Sequence, residues 1–369
     1  MEVMLLNSNY EWRRHGYACD VLAIADAPGP LAGEMRAAGY FVHHFPFRSR
    51  ISLLPRIDFV WRFLQLCRFY DIIHIHTEAG PPLFAFLARL AGVRRIALTP
   101  HNVFRFGNLL RRRKLAERFF VRLLGGRYGI ISDSVGRWER AHFRNEGAPI
   151  VNWIDAAHFR PPMPLERSAA REALGVRPED FVLVSAGNCN AVKNHRAILR
   201  AIPMLPSAIR PLYLHIGREE PACPERELAA TLGVQSRVRF LGSQADVRPF
   251  LWAADAFVMP SLHEGLGMAA LEAIASGAPL ICAEVDGLCD VAAATSYTIL
   301  TSTTPQSIAE GIAYAASLPP AELRNGALED SRSVRERFSI HNGVRSIVST
   351  LYAEEDSSLP TAEQVWRPS

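Results

Sequence analysis

Short runs of β-branched and aliphatic residues alternate along this chain with longer stretches in which apolar side chains recur every three or four positions. The short runs predict strands at Asp20–Ala25, Ile72–His76, Arg95–Thr99 and Gly129–Ser132 in the first half. In the second half they fall at Phe181–Ala186, Leu212–Ile216, Val238–Leu241, Ala256–Met259 and Pro279–Ala283. The periodic stretches predict helices over Phe59–Phe69, Leu83–Leu90, Leu109–Leu124, His195–Ile202 and Met268–Ser276. Strands this apolar on both faces, each followed by a helix, imply parallel sheets covered on both sides. The expected class is therefore α/β.

A break falls between Asn152 and Leu165, where Pro161, Pro162 and Pro164 stop any helix before a new one opens near Glu166. With 369 residues and 49% hydrophobic content there is material for two cores, one on each side of that break. The expected domains are 1–155 and 156–335, followed by a helix over 336–353 that returns to the first domain. The acidic, then polar, stretch 354–369 is expected to be a disordered tail.

A charged fraction of 21% is too ordinary for a disordered chain and too high for a polytopic membrane protein. No apolar run reaches the ~18 residues of a membrane span. Glu2, Glu11, Arg13 and Arg14 interrupt the opening stretch, so no signal peptide is expected there. Six scattered cysteines without a CxxC suggest reduced thiols, no structural zinc and a cytoplasmic setting. Net charge is only +4, but its distribution is uneven. From Arg48 to Arg127, fifteen arginines and Lys114 face four acids, a local excess of +12, so the first half is expected to meet something anionic. Within it, Leu109–Leu124 reads as an amphipathic helix with an arginine-rich polar side. Such a helix either packs on its own sheet or lies on an anionic membrane surface, where each cation adds ~1 kcal/mol. Nucleic acid is not expected, because no basic groove interleaved with aromatics is evident.

The chemistry concentrates in PSLHEGLGMAALEAIASGAPLICAEVDGLCD, residues 260–290. A strand feeds a loop with Glu264, Gly265 and Gly267, and a helix follows with Glu272 in its second turn. Glycines at such a junction let a ligand approach the backbone, and the free N–H groups of a helix start attract phosphate. Glu264 could then bond sugar hydroxyls and Glu272 ribose hydroxyls. The bland alternatives stay open: Ser261-x-x-Glu264 also fits a helix capping box, and Glu272 fits a solvated helix face.

EGLGMAALEAIASGAPLI, followed by Asp286-Gly287-Leu288, resembles the signature of glycosyltransferase family 4, the group 1 retaining enzymes. Other segments resemble that family in order and spacing. They are Asp71-Ile72-Ile73-His74-Ile75-His76, Thr99-Pro100-His101-Asn102, Asn152-Trp153-Ile154-Asp155 (with Trp153 in place of glycine), Gly187 through Lys193-Asn194-His195, and Phe240-Leu241-Gly242. The resemblance implies the GT-B fold, two Rossmann-like domains whose parallel sheets face across a cleft. It also implies a nucleotide diphosphate sugar as donor, a glycan or lipid-linked acceptor, and retention of anomeric configuration. Donor binding falls on Gly187, Asn188, Lys193, Leu241, Glu264, Gly265, Leu266, Gly267, Met268 and Glu272. His101, Lys193 and Glu264 would act at the reacting sugar.

Two departures from the family pattern matter. Asn188 stands where the family usually carries an arginine, which leaves Lys193 and the helix start to meet charge growing on the departing diphosphate. The family's opening strand and glycine loop have no counterpart: residues 3–16 read as its first helix, so the first domain is expected to be truncated at its start. A rival reading makes Val3–Leu6 that strand. His74 and His76 are weaker candidates, only one of them expected to reach a ligand while the other turns into the core. No Asp-x-Asp motif stands at a strand end, so no cofactor and no metal is expected. A nucleotide-sugar epimerase of the same fold and a catalytically impaired binding protein remain alternatives.

Overall fold

The computed structural model describes residues 2–47, 53–103 and 107–353, without the side chains of residues 2, 3 and 53–56. The expected tail 354–369 lies outside the described residues. The chain divides into two units. One runs to Asp155 and is completed by the chain from Ile340 onward; the other is Ala156–Ser339.

In the first unit, β1 (Asp20–Ala23) and β2 (Phe41–His44) pair in parallel. A separate parallel sheet is formed by β3 (Ile72–Ile75), β4 (Arg95–Leu98), β5 (Gly126–Ile130) and β6 (Ala148–Pro149), in that order. Sequence pattern missed β6 because it is two residues long, and β2 because two histidines follow Phe41 and Val42 and no apolar run stands out. The chain opens with helices Glu2–Leu6 and Asn9–Arg14, broken where the Ser8 amide and hydroxyl both donate to the Leu5 carbonyl. Residues 3–6 are thus helical, which overturns the rival strand reading. The core beneath the second sheet is a cluster of Phe59, Phe63 and Phe84 packed on Ile75, Ile96 and Leu98.

The last helix, Ile340–Ile347, runs on into a π-helical turn, Val348–Tyr352, and packs on Asn9–Arg14 and on β5. Trp153 fixes this seam. It is buried, donates its indole N–H to the Met4 carbonyl at 2.8 Å, and meets Trp12 edge-on at 6.1 Å. Gly343 faces the indole so closely that a Cβ there would stand 2.3 Å from a ring carbon. The bulky residue in the Asn-x-Ile-Asp segment is accommodated because its neighbour has no side chain.

The helix Asn108–Leu123 corrects the expected orientation of its charges. Its buried face carries Lys114, Glu117, Arg118 and Val121. Arg118 donates to both oxygens of Glu139 and of Glu78 at 2.9–3.1 Å, and Lys114 pairs with Glu117 at 2.9 Å and Glu78 at 3.1 Å. The outward face instead holds Leu109, Leu115, Phe119, Phe120 and Leu123, all exposed. The arginines that remain outside include Arg111, Arg112 and Arg113.

In the second unit, β7 (Asp180–Ala186), β8 (Arg210–Ile216), β9 (Val238–Phe240), β10 (Ala256–Met259), β11 (Leu280–Ala283) and β12 (Ile299–Thr301) form one parallel sheet. Their order is β12-β11-β10-β7-β8-β9. The core packs Leu183, Tyr213, Val258 and Ile281 of the sheet against Ile198 and against Ile308 and Ile312 of the helix Pro305–Ser317. Strand order reverses between β7 and β10. In open parallel sheets of this kind the crevice beyond the carboxyl ends of the two central strands is where ligands bind.

Arg118 sits between two carboxylates with almost no solvent contact, so removing it strands the buried Glu139, while Glu78 keeps Lys114. Arg118→Leu is expected to lower the unfolding free energy by about 3–5 kcal/mol in urea titrations. A loss below about 1 kcal/mol would show that the network contributes no more than a surface pair.

Candidate functional site

Two loops meet at the reversal. The first follows β7 and runs from Gly187 to Asn194; the second follows β10 and runs from Pro260 to Gly267. The Leu262 N–H donates to the Val192 carbonyl at 2.8 Å, joining the loops backbone to backbone. Asn194, in the left-handed conformation at φ 55°, spends its side-chain amide on the carbonyls of Pro260 and Thr303, each at 3.1 Å. Asparagine tolerates that conformation at small cost, which is why it can end the loop and open the helix His195–Ala201. Within this frame the Lys193 ammonium bonds Glu264 Oε1 at 2.7 Å.

Two glycines make the crevice floor possible. A Cβ at Gly217, just past β8, would lie 2.1 Å from the Gly187 carbonyl oxygen, so only glycine lets the loops after β7 and β8 touch. Gly287, just past β11, backs directly onto the Glu264 carbonyl in the same way, at 2.5 Å. Both have positive φ, at 146° and 79°. The expected site residues of the second unit thus come together along one edge of the sheet. Asn188 accepts the Arg218 N–H at 3.0 Å, and Leu241 donates its N–H to His215 where β9 ends. Gly265, Leu266 and Gly267 are buried beneath the second loop, and Met268 opens the helix Met268–Ala275.

The helix begins at Met268 with Gly267 as its cap, so Ser261 and Glu264 lie several residues upstream and form no capping box. Ser261 is buried with no hydrogen-bond partner for its hydroxyl among the described residues. Glu272 is half-buried on the second turn of this helix, not on a solvated face, and no partner for its carboxylate is found among the described residues. Burial raises it to about 7. A carboxyl with that affinity for its proton, at the mouth of a crevice, is a common mark of a functional site. When ionised it accepts hydroxyl protons on two oxygens.

Sequence reasoning overlooked Asn194 and Arg218. Asn194 signalled itself only as a residue able to take left-handed geometry. Arg218 follows Gly217 in the neighbouring loop and is exposed, and no ion partner for it is found among the described residues.

The histidines of the first unit are arranged otherwise than expected. His74 and His76 stack with centroids 4.0 Å apart, on one side of β3, because residues two apart share a face. The expectation that only one of them escapes the core is corrected. His74 bonds Tyr352 and Thr99, each at 2.8 Å, while His76 bonds His101 at 3.0 Å beyond the end of β4. Burial holds all three well below the ordinary histidine range, His76 at about 3, so they are neutral at physiological pH.

Parallel sheets in both units, with a glycine-backed lysine and two glutamates at the strand reversal of the second, define the class of GT-B glycosyltransferases. Residues 1–187 match the family described as Glycosyl transferase 4-like domain, and residues 166–333 match Glycosyl transferases group 1. The chain belongs to the group 1 glycosyltransferase family. Among curated relatives, EpsD of Bacillus subtilis (strain 168) is 33% identical over 241 residues, which cover 59% of this chain and 60% of EpsD. Among solved structures, a glycosyltransferase from Rickettsia africae ESF-5 superposes with a TM-score of 0.81 at 16% identity, covering 94% of this chain and 93% of that one. Anabaena Alr3699/HepE in complex with UDP and glucose gives 0.80 at 18% identity, with 94% of each chain covered. Likeness at these identities establishes the fold. No helix among the described residues is long and apolar enough to cross a membrane.

The raised Glu272 has a consequence for stability. Burial lets the native state keep this proton up to about pH 7, whereas the unfolded chain releases it near 4.5, the ordinary value for a glutamate. Between those limits the native state binds more protons, so Glu272 makes stability fall as pH rises. Glu272→Gln is expected to flatten that slope, measured as urea midpoints at about pH 5 and about pH 8. An unchanged slope would show that Glu272 ionises normally.

Proposed function

We propose that this protein transfers a sugar from a nucleoside diphosphate sugar to a glycan or lipid-linked acceptor, with retention of anomeric configuration. The observation that carries the reading is the contact between Lys193 and Glu264 at the strand reversal, with Glu272 on the helix that follows and no partner for its carboxylate found among the described residues. The likeness in fold to Anabaena Alr3699/HepE, a protein solved with UDP and glucose, supports the donor class.

In this reading the Lys193 ammonium exchanges its Glu264 partner for the donor diphosphate. Charge grows on the leaving phosphate as the glycosidic bond breaks, and a fixed cation there lowers the barrier. The N–H groups at the start of the helix Met268–Ala275 add a positive end aimed at the same oxygens. Asn188 brings a hydrogen bond without charge, so the exposed Arg218 in the adjoining loop supplies the second cation. Glu264, released from Lys193, turns to the sugar hydroxyls, and Glu272 binds the ribose hydroxyls. The residues of this crevice suffice for leaving-group stabilisation without a resident cofactor.

Glu272→Ala is expected to abolish binding of the UDP- or GDP-sugar in calorimetry, and Lys193→Ala to reduce turnover about tenfold or more, the effect of losing one charge-stabilising group. Donor affinity unchanged in the first variant, or turnover equal to the unsubstituted enzyme in the second, would remove the corresponding role. Incubating donor without acceptor separates transfer from epimerisation, since only an epimerase converts the sugar alone.

An anionic membrane surface is the proposed setting for a lipid-linked acceptor. The outward Leu115, Phe119 and Leu123, with Arg112 among them, offer an apolar wedge and a cation to headgroups. Phe119→Asp with Leu123→Asp is expected to release the protein from vesicles containing anionic lipid in co-sedimentation, with donor binding intact. Equal sedimentation of both forms would dismiss this surface.

A further inference from the structure

Beneath the loop that carries Lys193 lies a second cluster that the transfer chemistry does not use. The geometry points to a binding site for a thiophilic divalent cation of the zinc type, held by Cys189, His195 and His215. One ligand atom from each of the three lies within 4.8 Å of the others. Cys189 Sγ and His215 Nε2 are 3.2 Å apart, and the rings of His195 and His215 have centroids 4.4 Å apart. In a tetrahedral zinc site the ligand atoms stand about 3.3–3.8 Å from one another, so a small inward turn of one ring completes the geometry.

Three further observations single out this cluster. First, all three residues are buried, His215 completely, His195 at 4% exposure and Cys189 at 6%. Second, His195 Nδ1 is a buried nitrogen with no hydrogen-bond partner among the described residues. Native interiors rarely leave such an atom unpaired, and an ion is one of the usual reasons. Third, the cluster has the outer support that metal-bound imidazoles require. His215 Nδ1 bonds the Ser185 hydroxyl at 3.1 Å, and Ser185 bonds Tyr213 at 2.7 Å, which fixes the ring and leaves Nε2 for the metal.

A buried carboxylate lies near these three without joining the group whose ligand atoms converge. Glu225 is 3% exposed, receives Arg196 on Oε1 at 3.1 Å, and has a buried Oε2 with no hydrogen-bond partner among the described residues. Its helix, Pro224–Thr231, packs on His195–Ala201. One thiolate and two imidazoles, with a fourth position open, suit zinc and cobalt better than magnesium or calcium. On binding, the thiol proton leaves to solvent and the freed sulfur pair takes the cation, so affinity rises with pH. The sequence concealed this site because its residues come from a loop, the helix after it and the end of β8. The expectation of no structural zinc rested on CxxC spacing alone.

Cys189 and His195 bracket the turn that presents Lys193, with Asn188 immediately before it. A cation here clamps both ends of that turn. The assignment of the site itself does not depend on the donor reading.

The test uses the full chain, stripped with a chelator, dialysed and titrated with Co²⁺. One equivalent is expected to produce a thiolate-to-cobalt charge-transfer band with tetrahedral visible bands, both abolished by one equivalent of Zn²⁺. Cys189→Ser should lose the charge-transfer band, and Cys289→Ser should keep it. The absence of the band in the unsubstituted protein overturns the site, as does its survival in Cys189→Ser or its loss in Cys289→Ser. Should Cys189→Ser not fold, by circular dichroism, the unsubstituted spectrum and His215→Gln decide. In His215→Gln the visible bands must shift or vanish, and an unaltered spectrum overturns the assignment.

Discussion

A parallel sheet can grow outward from its first strand in two directions, and in the second unit it does both. From β7 the chain builds β8 and β9 on one side, then returns to lay down β10, β11 and β12 on the other. Because every strand points the same way, the loops after β7 and β10 leave the sheet in opposite senses and open a crevice between them. Lys193 rises from one lip and Glu264 from the other, and neither could be placed by its own local sequence. The tight floor at Gly187 and Gly217, the Val192–Leu262 backbone bond and the anchoring of Asn194 all hold the two lips at the right separation. A change that displaced β10 relative to β7 would dismantle the site without touching one of its side chains.

The first unit depends on a different constraint. Its helix Asn108–Leu123 buries charge and exposes hydrocarbon, the reverse of an ordinary surface helix. The reversal is stable because the buried charges saturate one another: Arg118 fills both carboxylates that face it, and Lys114 closes the remainder. The outward Leu109, Leu115, Phe119 and Leu123 are then not needed in the core.

Much of the fold was legible in the sequence. The central strands β7, β8, β10 and β11 are apolar on both faces, and burial on both faces is what their composition encodes. The short elements β6 and β12 were not legible, because two or three residues cannot display a period, and in β2 two histidines interrupt the apolar run. The arginines of Asn108–Leu123 misled for a physical reason: periodicity marks two faces but does not say which one turns inward when a buried ion network competes with leucine. At the site, glycine positions and the two glutamates could be found from their spacing, since close backbone approach and helix-start chemistry impose residue types. Asn194 and Arg218 act through tertiary placement, and Cys189, His195 and His215 converge only after the sheet has formed. Spacing rules see neighbours along the chain; they do not see neighbours across a sheet.

The joint between Trp153 and Gly343 carries an implication for how such a chain can change over generations. The indole occupies the volume that any residue other than glycine would require at 343. A drift toward alanine there is closed until the tryptophan has first become something smaller. Two positions far apart in the gene are thereby held to a fixed historical sequence of substitutions, contraction at 153 before expansion at 343.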